Sequence, residues 1–295
     1  MGVPVFIGCS GWSHEDWVGR FYPISLARKK EEWLRYYASF FNTVEVSSTF
    51  YRSPGEIMIK GLINRGNSLK DFEYSLIIPK EISHEAMVAM DSNSASNKIM
   101  AFEESCIKPL ADNELLGTVV LQLSSGFKFS DETLNALEHV LASIDPKKYR
   151  YAVEFRNNSW LNGKASLDSS VHKLLSSYEV ATVQSDGTNL QPVQDVTASH
   201  TYIRLHGREC ALSDEEDNEA GPGYLYSEDE LISWTNLIER RREENQVRVY
   251  FTNNGWARSP KNAFQMMDIL SIPHREKKIH VHDQIMEGTF MMHKR

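Results

Sequence analysis

Eight short apolar runs recur along this chain of 295 residues, separated by longer stretches with helical spacing. That alternation restricts the architectures open to the chain more than any other feature. The runs cover residues 5–9, 43–48, 72–79, 118–123, 151–156, 181–186, 201–206 and 247–252, each rich in β-branched or aromatic residues and bounded by Gly, Pro, Asn, Asp or Ser. Strand followed by helix, sustained eight times, favours a parallel sheet with right-handed crossovers, and eight such units can close on themselves. The expected fold is therefore α/β, a (β/α)8 TIM barrel, with residues 1–295 in one domain; such barrels commonly fill ~250 residues. A doubly wound open sheet is the competing arrangement. It usually carries a glycine-rich phosphate turn after its first strand, and neither GxGxxG nor GxxxxGK(S/T) occurs.

The helical stretches have legible stripes. Leu34, Tyr37, Ala38 and Phe41 share one face, as do Leu134, Leu137, Val140, Leu141 and Ile144 behind a capping Ser130. Ser227 and Glu230 make a capping box that opens a helix over residues 227–242. Gly55, Gly61 and Gly66 weaken the pattern between the second and third strands. Residues 187–199 have little helical pattern, so one outer helix is expected to be irregular or missing. The acidic run 209–219 reads as a solvated loop.

The formal charge of −8 disfavours nucleic acid as a partner, although a local basic groove can coexist with a negative total. Cys9, Cys106 and Cys210 lie far apart with no CxxC pair, which speaks against a disulfide framework and for a reducing compartment. No stretch approaches ~18 uninterrupted apolar residues, so the cytoplasm is the expected location and no membrane is implied.

Function enters through the two-residue period of the strands. Successive side chains point to opposite faces, and in a barrel one face meets the helices while the other meets the axis. Glu45 alternates with Val44 and Val46, Gln122 with Leu121 and Leu123, and Glu154 and Arg156 with Val153 and Phe155. Arg204 and His206 alternate with Ile203 and Leu205. Along the sixth strand, Thr182, Gln184 and Asp186 form the polar parity. Glu45, Gln122, Glu154, Arg156, Gln184, Asp186, Arg204 and His206 are thus expected to point inward, most of them near the carboxyl ends where barrel active sites lie. Isolated buried charges cost several kcal/mol, so such a cluster needs mutual pairing, water, a metal or a ligand. One competing account is structural: Glu154 paired with Arg204 and Glu45 with Arg156 would form an internal network that fixes barrel register.

Loops after the strands add Ser10 and Trp12, Tyr51, Lys80, Trp160, Arg208, Asn253 and Asn254 as candidate substrate contacts. Aromatic rings beside guanidinium and amide groups suit a small ligand carrying negative charge. Trp17 reads as packing at the barrel mouth.

The segments Gly8-Cys9-Ser10-Gly11-Trp12-Ser13, Phe21-Tyr22-Pro23, Tyr36-Tyr37-Ala38 and the run from Thr43 to Arg52 resemble the YecE-like family, domain of unknown function 72. So do Gln122-Leu123, Ala152-Val153-Glu154-Phe155-Arg156 with Ser159-Trp160, Asp186, the run from Tyr202 to Arg208, and the run from Val249 to Asn254. The resemblance implies a TIM barrel and no particular reaction. Three departures stand out: Ser47 and Thr252 each replace an asparagine, and a tryptophan expected within residues 57–69 is absent.

Three functional readings follow. In the first, the chain is a hydrolase or lyase for a phosphorylated or phosphodiester substrate. Glu45, Glu154, Asp186 and His206 then supply catalysis or ligate a divalent metal ion, and Arg156, Arg204, Arg208 and Lys80 neutralise charge. Without a metal, Glu154 is the base and His206 the acid. In the second, paired carboxylates serve a sugar isomerase or glycosidase. In the third, the pocket binds a nucleotide or small molecule without turnover. Composition leaves the oligomeric state undetermined.

Overall fold

A computed structural model describes residues 3–163, 165–187, 192–208 and 224–279. Strands β1 (Val5–Cys9), β2 (Thr43–Val46), β3 (Glu73–Ile77), β4 (Leu116–Gln122), β5 (Tyr151–Glu154), β6 (Ala181–Gly187), β7 (His200–Gly207) and β8 (Gln246–Phe251) lie in the order β1-β8-β7-β6-β5-β4-β3-β2. Every ladder is parallel. Around the sheet run α1 (Lys30–Tyr37), α2 (Ser48–Tyr51), α3 (Glu56–Gly66), α4 (Ser92–Phe102), α5 (Lys108–Asp112), α6 (Asp131–Leu141), α7 (Ser169–Ser177), α8 (Glu228–Arg241) and α9 (Arg258–Ile269). This is the (β/α)8 barrel that the alternation predicts, with strand limits within a residue or two of the expected ones. The acidic run 209–219 and Cys210 lie outside the described residues. Among the described residues no helix is long and apolar enough to cross a membrane.

The barrel closes where β1 meets β2. Ser10 bridges Glu45, and the Gly11 amide donates to the Glu45 carbonyl at 2.8 Å. One turn lower, a side chain replaces the ladder. The Cys9 amide donates to the Tyr37 hydroxyl at 2.8 Å, and that hydroxyl donates to the Thr43 carbonyl at 3.0 Å. Tyr37 therefore links the two strands while its ring stays in the core. Gly8 permits the approach, because a Cβ there would stand 2.4 Å from the Thr43 carbonyl oxygen.

Helix signals behave largely as their chemistry dictates. Ser130 and Thr133 make a reciprocal cap at α6, and Ser227 and Glu230 do so at α8. The glycines between β2 and β3 disrupt less than expected: α3 runs through Gly61 and ends at Gly66, whose missing Cβ makes room for Leu115. Between β6 and β7 no helix occurs among the described residues, and 192–199 cover the sheet as irregular chain. The Thr197 hydroxyl there accepts the Thr182 amide at 2.9 Å and donates to the Val180 carbonyl at 2.7 Å.

Apolar parities pack outward against the helices, with Val44, Val46, Val153, Ile203, Leu205 and Val249 all buried. Inside the barrel, Val120, Ala152, Ala181, Val183, Tyr202 and Tyr250 form a second, separate cluster. Towards the N-terminal strand ends lies an ion pair that the parity count overlooked. Arg248 of β8 grips Glu73 of β3 bidentately at 2.7 and 2.8 Å, and both are buried. His200, at the start of β7, bonds the Tyr151 carbonyl at 3.1 Å. Burial, then Arg248 and Arg150, push its pKa down to about 3.

Two stability tests follow from this frame. Tyr37→Phe orphans one buried amide and one buried carbonyl, so it is expected to cost about 1–3 kcal/mol in urea unfolding, with the fold retained. His200 stays neutral in the fold but takes up a proton near its ordinary value of 6.5 when unfolded. The unfolded chain therefore binds more protons at acid pH, and this contribution to stability declines as pH falls from about 6.5 towards 3. His200→Gln should flatten the pH dependence of the melting temperature over that window; an unchanged slope would contradict the assignment.

Candidate active site

Above the inner apolar cluster, polar side chains from four strands converge as their parity predicts. Glu45 comes from β2, Gln122 from β4, Glu154 from β5 and Arg204 from β7, and all four are buried. Arg204 holds the other three together. Its Nη1 donates to Gln122 Oε1 at 2.7 Å and to Glu154 Oε2, while Nη2 donates to Glu45 Oε1 at 3.1 Å. Tyr202, one inward step lower on β7, donates to Glu45 Oε2 at 2.6 Å. Burial, then the Glu45 charge, hold that phenol well above its ordinary pKa, so it remains a donor.

Glu154 is the most heavily bonded group. Besides Arg204, it has Arg156 Nε 3.1 Å from Oε2, and its Oε1 accepts from Ser185 at 2.7 Å and meets His206 Nε2 at 2.8 Å. Burial alone would raise its pKa. The charges of Arg156 and Arg204, with His206 beside them, outweigh burial and hold the carboxyl well below its usual range. His206 is shifted down, chiefly by burial and then by Arg156, against the opposing pull of Glu154.

The contacts of both ring nitrogens, taken with these directions, assign the tautomer at neutral pH. A neutral imidazole facing an ionised carboxylate must carry its proton on Nε2, since a bare Nε2 would set lone pair against lone pair. Nδ1 is then an acceptor, and Thr252 Oγ1 stands 2.8 Å from it, just past β8. The threonine hydroxyl has a second, poorer acceptor in the Leu205 carbonyl at 3.4 Å. Carboxylate, imidazole and hydroxyl thus form a single chain running from the barrel interior to its carboxyl-terminal rim.

Residues 6–285 match the family model described as a protein of unknown function, DUF72. The chain belongs to the DUF72 family. It is similar to a DUF72 family protein from Thermotoga maritima, with 28% identity, 90% of this chain and 99% of that chain covered, and a TM-score of 0.74. A DUF72 family protein from Enterococcus faecalis shares the fold at 23% identity over 94% of this chain and 100% of its own, with a TM-score of 0.73. Among curated proteins there is no match.

Not every expected site residue joins the network in this DUF72 barrel. Asp186 faces outward, contrary to the polar-parity reading of β6. Its carboxylate takes the Trp234 indole of α8 at 3.1 Å and Arg208 at 3.0 Å, and Arg208 also reaches Glu230. The inward parity of β6 is instead Ala181, Val183 and Ser185, because its outer face finds polar partners: irregular chain lies over part of it, where Gln184 meets the Asp195 carbonyl at 3.5 Å, and α8 supplies the Trp234 indole to Asp186. Trp160 is wholly buried, bonds the Phe127 carbonyl and packs among Phe127, Phe129 and Phe155. Asn253 and Asn254 hold loops: the first binds Tyr224 and Asn262, the second the Ser10 carbonyl, Ser259 and the Trp17 indole. That last bond makes Trp17 a packing residue, as expected.

Ser10 lies beside Glu45 at the closing bridge, and Trp12 is half-buried above it. At another part of the mouth, Lys80 Nζ stands 5.9 Å from the ring centre of the exposed Tyr51. Arg156 also reaches Gln122, at 3.1 Å. Of the predicted pairings, Glu154 with Arg204 is present, whereas Glu45 pairs with Arg204 and not with Arg156. Ser185 and Thr252 were missed by the parity count. The same two-residue rule, applied to β6 with the opposite face inward, identifies Ser185; Thr252 shares the parity of Arg248 and Tyr250.

The residues present do not fit the divalent metal that one reading of the sequence allows. Arginines and hydrogen-bond donors already take both oxygens of Glu45 and of Glu154, and Asp186 is on the opposite face of the sheet. Among the described residues no three His, Cys, Asp or Glu side chains are grouped to hold an ion.

Removing the shared cation should be severe. Arg204→Met leaves Glu45 and Glu154 buried against one another without it, and a loss of about 3–5 kcal/mol is expected in chemical unfolding. A change within about 0.5 kcal/mol, the range of ordinary surface substitutions, would show that the network does not hold the barrel together.

Proposed function

We propose that this DUF72 protein is a hydrolase or lyase for an anionic substrate, phosphorylated or phosphodiester in class, which it meets at the carboxyl-terminal rim of the barrel. The observation that carries this reading is the chain in which His206 Nε2 meets Glu154 at 2.8 Å and His206 Nδ1 meets Thr252 Oγ1 at 2.8 Å at the rim, in surroundings that favour an ionised carboxyl and a neutral imidazole. A carboxylate so strongly stabilised is a poor base. Its negative charge instead orients the imidazole and favours the imidazolium that forms when Nδ1 takes a proton. This reading differs from the sequence expectation of Glu154 as base and His206 as acid: His206 is the base and Glu154 its orienting partner. Arg156 and Arg204, fixed by Glu154 and Gln122, supply positive charge next to this centre.

The purely structural account is weaker here than at the other end of the barrel. Glu73 and Arg248 form a bidentate pair, as a register-fixing bridge should. The rim network adds a titratable base and a hydroxyl, which barrel register does not require. For a glycosidase, Glu154 is unsuited to the general-acid role, because that role needs a protonated carboxyl.

The test is turnover of bis(p-nitrophenyl) phosphate and p-nitrophenyl phosphate by the purified protein. Glu154→Gln and His206→Asn are each expected to lower kcat/KM by about 100-fold or more, with the fold intact by circular dichroism. Because burial lowers the His206 pKa, the base remains competent below the ordinary histidine range, so activity should persist from neutral pH to below about 6.5. Tight nucleotide binding without turnover of either ester would favour a binding protein instead.

A further inference from the structure

Thr252 is so placed that its hydroxyl has more to do than complete a hydrogen bond. It lies one residue past the end of β8, half-buried, with Oγ1 2.8 Å from the bare Nδ1 of His206. Its backbone is fixed by the hydrogen bond that the Thr252 amide donates to the Leu205 carbonyl at 3.0 Å, which continues the β7–β8 ladder and holds the threonine opposite the histidine. The imidazole is held in turn through Nε2 by Glu154, and Glu154 by Ser185 and two arginines. Each member of the chain is therefore oriented by the next. An activated hydroxyl nucleophile needs this arrangement: a base within hydrogen-bond reach, and a third group orienting that base.

We propose that Thr252 is the nucleophile of this site, forming a covalent phosphothreonyl intermediate with a phosphate ester. The proposal rests on the proton-handling roles of Glu154 and His206 given above and adds the bond-making atom. In the first step Thr252 Oγ1 attacks phosphorus, the Oγ1–P bond forms and the bond from phosphorus to the leaving oxygen breaks. The hydroxyl proton passes to His206 Nδ1, giving an imidazolium opposite Glu154, and from there to the departing alkoxide. In the second step water attacks phosphorus and gives its proton to Nδ1. The Oγ1–P bond breaks, and Thr252 regains the proton.

The probe is diisopropyl fluorophosphate, which phosphorylates activated hydroxyls with loss of fluoride and requires no knowledge of the natural substrate. Trypsin cleaving after Arg248 and Arg258 releases residues 249–258, in which Thr252 is the sole aliphatic hydroxyl and Tyr250 the sole phenol. Mass spectrometry should find the adduct on Thr252. Labelling should vanish in Thr252→Val, which keeps the shape, and fall about 100-fold or more in His206→Asn. Thr252→Ser, which keeps a hydroxyl, should label on the same peptide. An adduct that forms equally fast in His206→Asn would overturn the proposal, as would an unlabelled Thr252. If Thr252 stays unlabelled while bis(p-nitrophenyl) phosphate is hydrolysed in a His206-dependent way, water is the direct nucleophile. The functional reading then stands and the covalent step falls. No adduct and no hydrolysis would remove both.

Discussion

One guanidinium, that of Arg204, binds side chains from three other strands of the barrel at once. It takes Glu45 of β2, Gln122 of β4 and Glu154 of β5 from its own position on β7. Two carboxylates this deep in a closed sheet would otherwise repel each other and lack water, and each would carry a desolvation penalty of several kcal/mol. Bound to one shared cation, they become fixed charges. The rim above depends on that: the charges of Arg156 and Arg204 hold the Glu154 carboxyl well below its usual range, and a carboxylate there favours the His206 tautomer with its proton on Nε2.

The barrel interior is thereby divided along its axis. Glu73 and Arg248 neutralise each other near the amino-terminal strand ends, with Thr43, Ser75 and the Tyr250 hydroxyl between them and the middle. An apolar layer around Val120, Ala152, Val183 and Tyr202 separates that pair from the upper network. The lower pair is complete in itself. The upper one extends through His206 and Thr252 to side chains beyond the strands, and that continuity to the rim links the packing of the barrel to the chemistry proposed for it.

Strand parity made much of this legible before any coordinates. It placed Glu45, Gln122, Glu154, Arg204 and His206 correctly because each alternates with Val, Leu or Ile residues that a covering helix must bury. The same reasoning failed at β6. Among the described residues no helix follows that strand, and polar partners meet its outer face: Gln184 reaches the Asp195 carbonyl and Asp186 takes the Trp234 indole of α8, so Thr182, Gln184 and Asp186 point out while Ser185 points in. Trp160, Asn253 and Asn254 misled for a different reason. Loop residues after strand ends have no periodicity, and an aromatic or amide there serves packing as readily as binding.

By itself the sequence determined the eight alternating units, the capped helices α6 and α8, the lack of helix among the described residues after the sixth strand and the membership in a family of barrels, because these depend on local spacing and on ordered motifs. Tertiary structure decided which cation serves which carboxylate, that Asp186 is bound to α8, that Tyr37 splices β1 to β2, and that Thr252 meets His206. Those are contacts between residues distant in the chain. Their geometry depends on sub-ångström positions of side chains that only the closed barrel brings together.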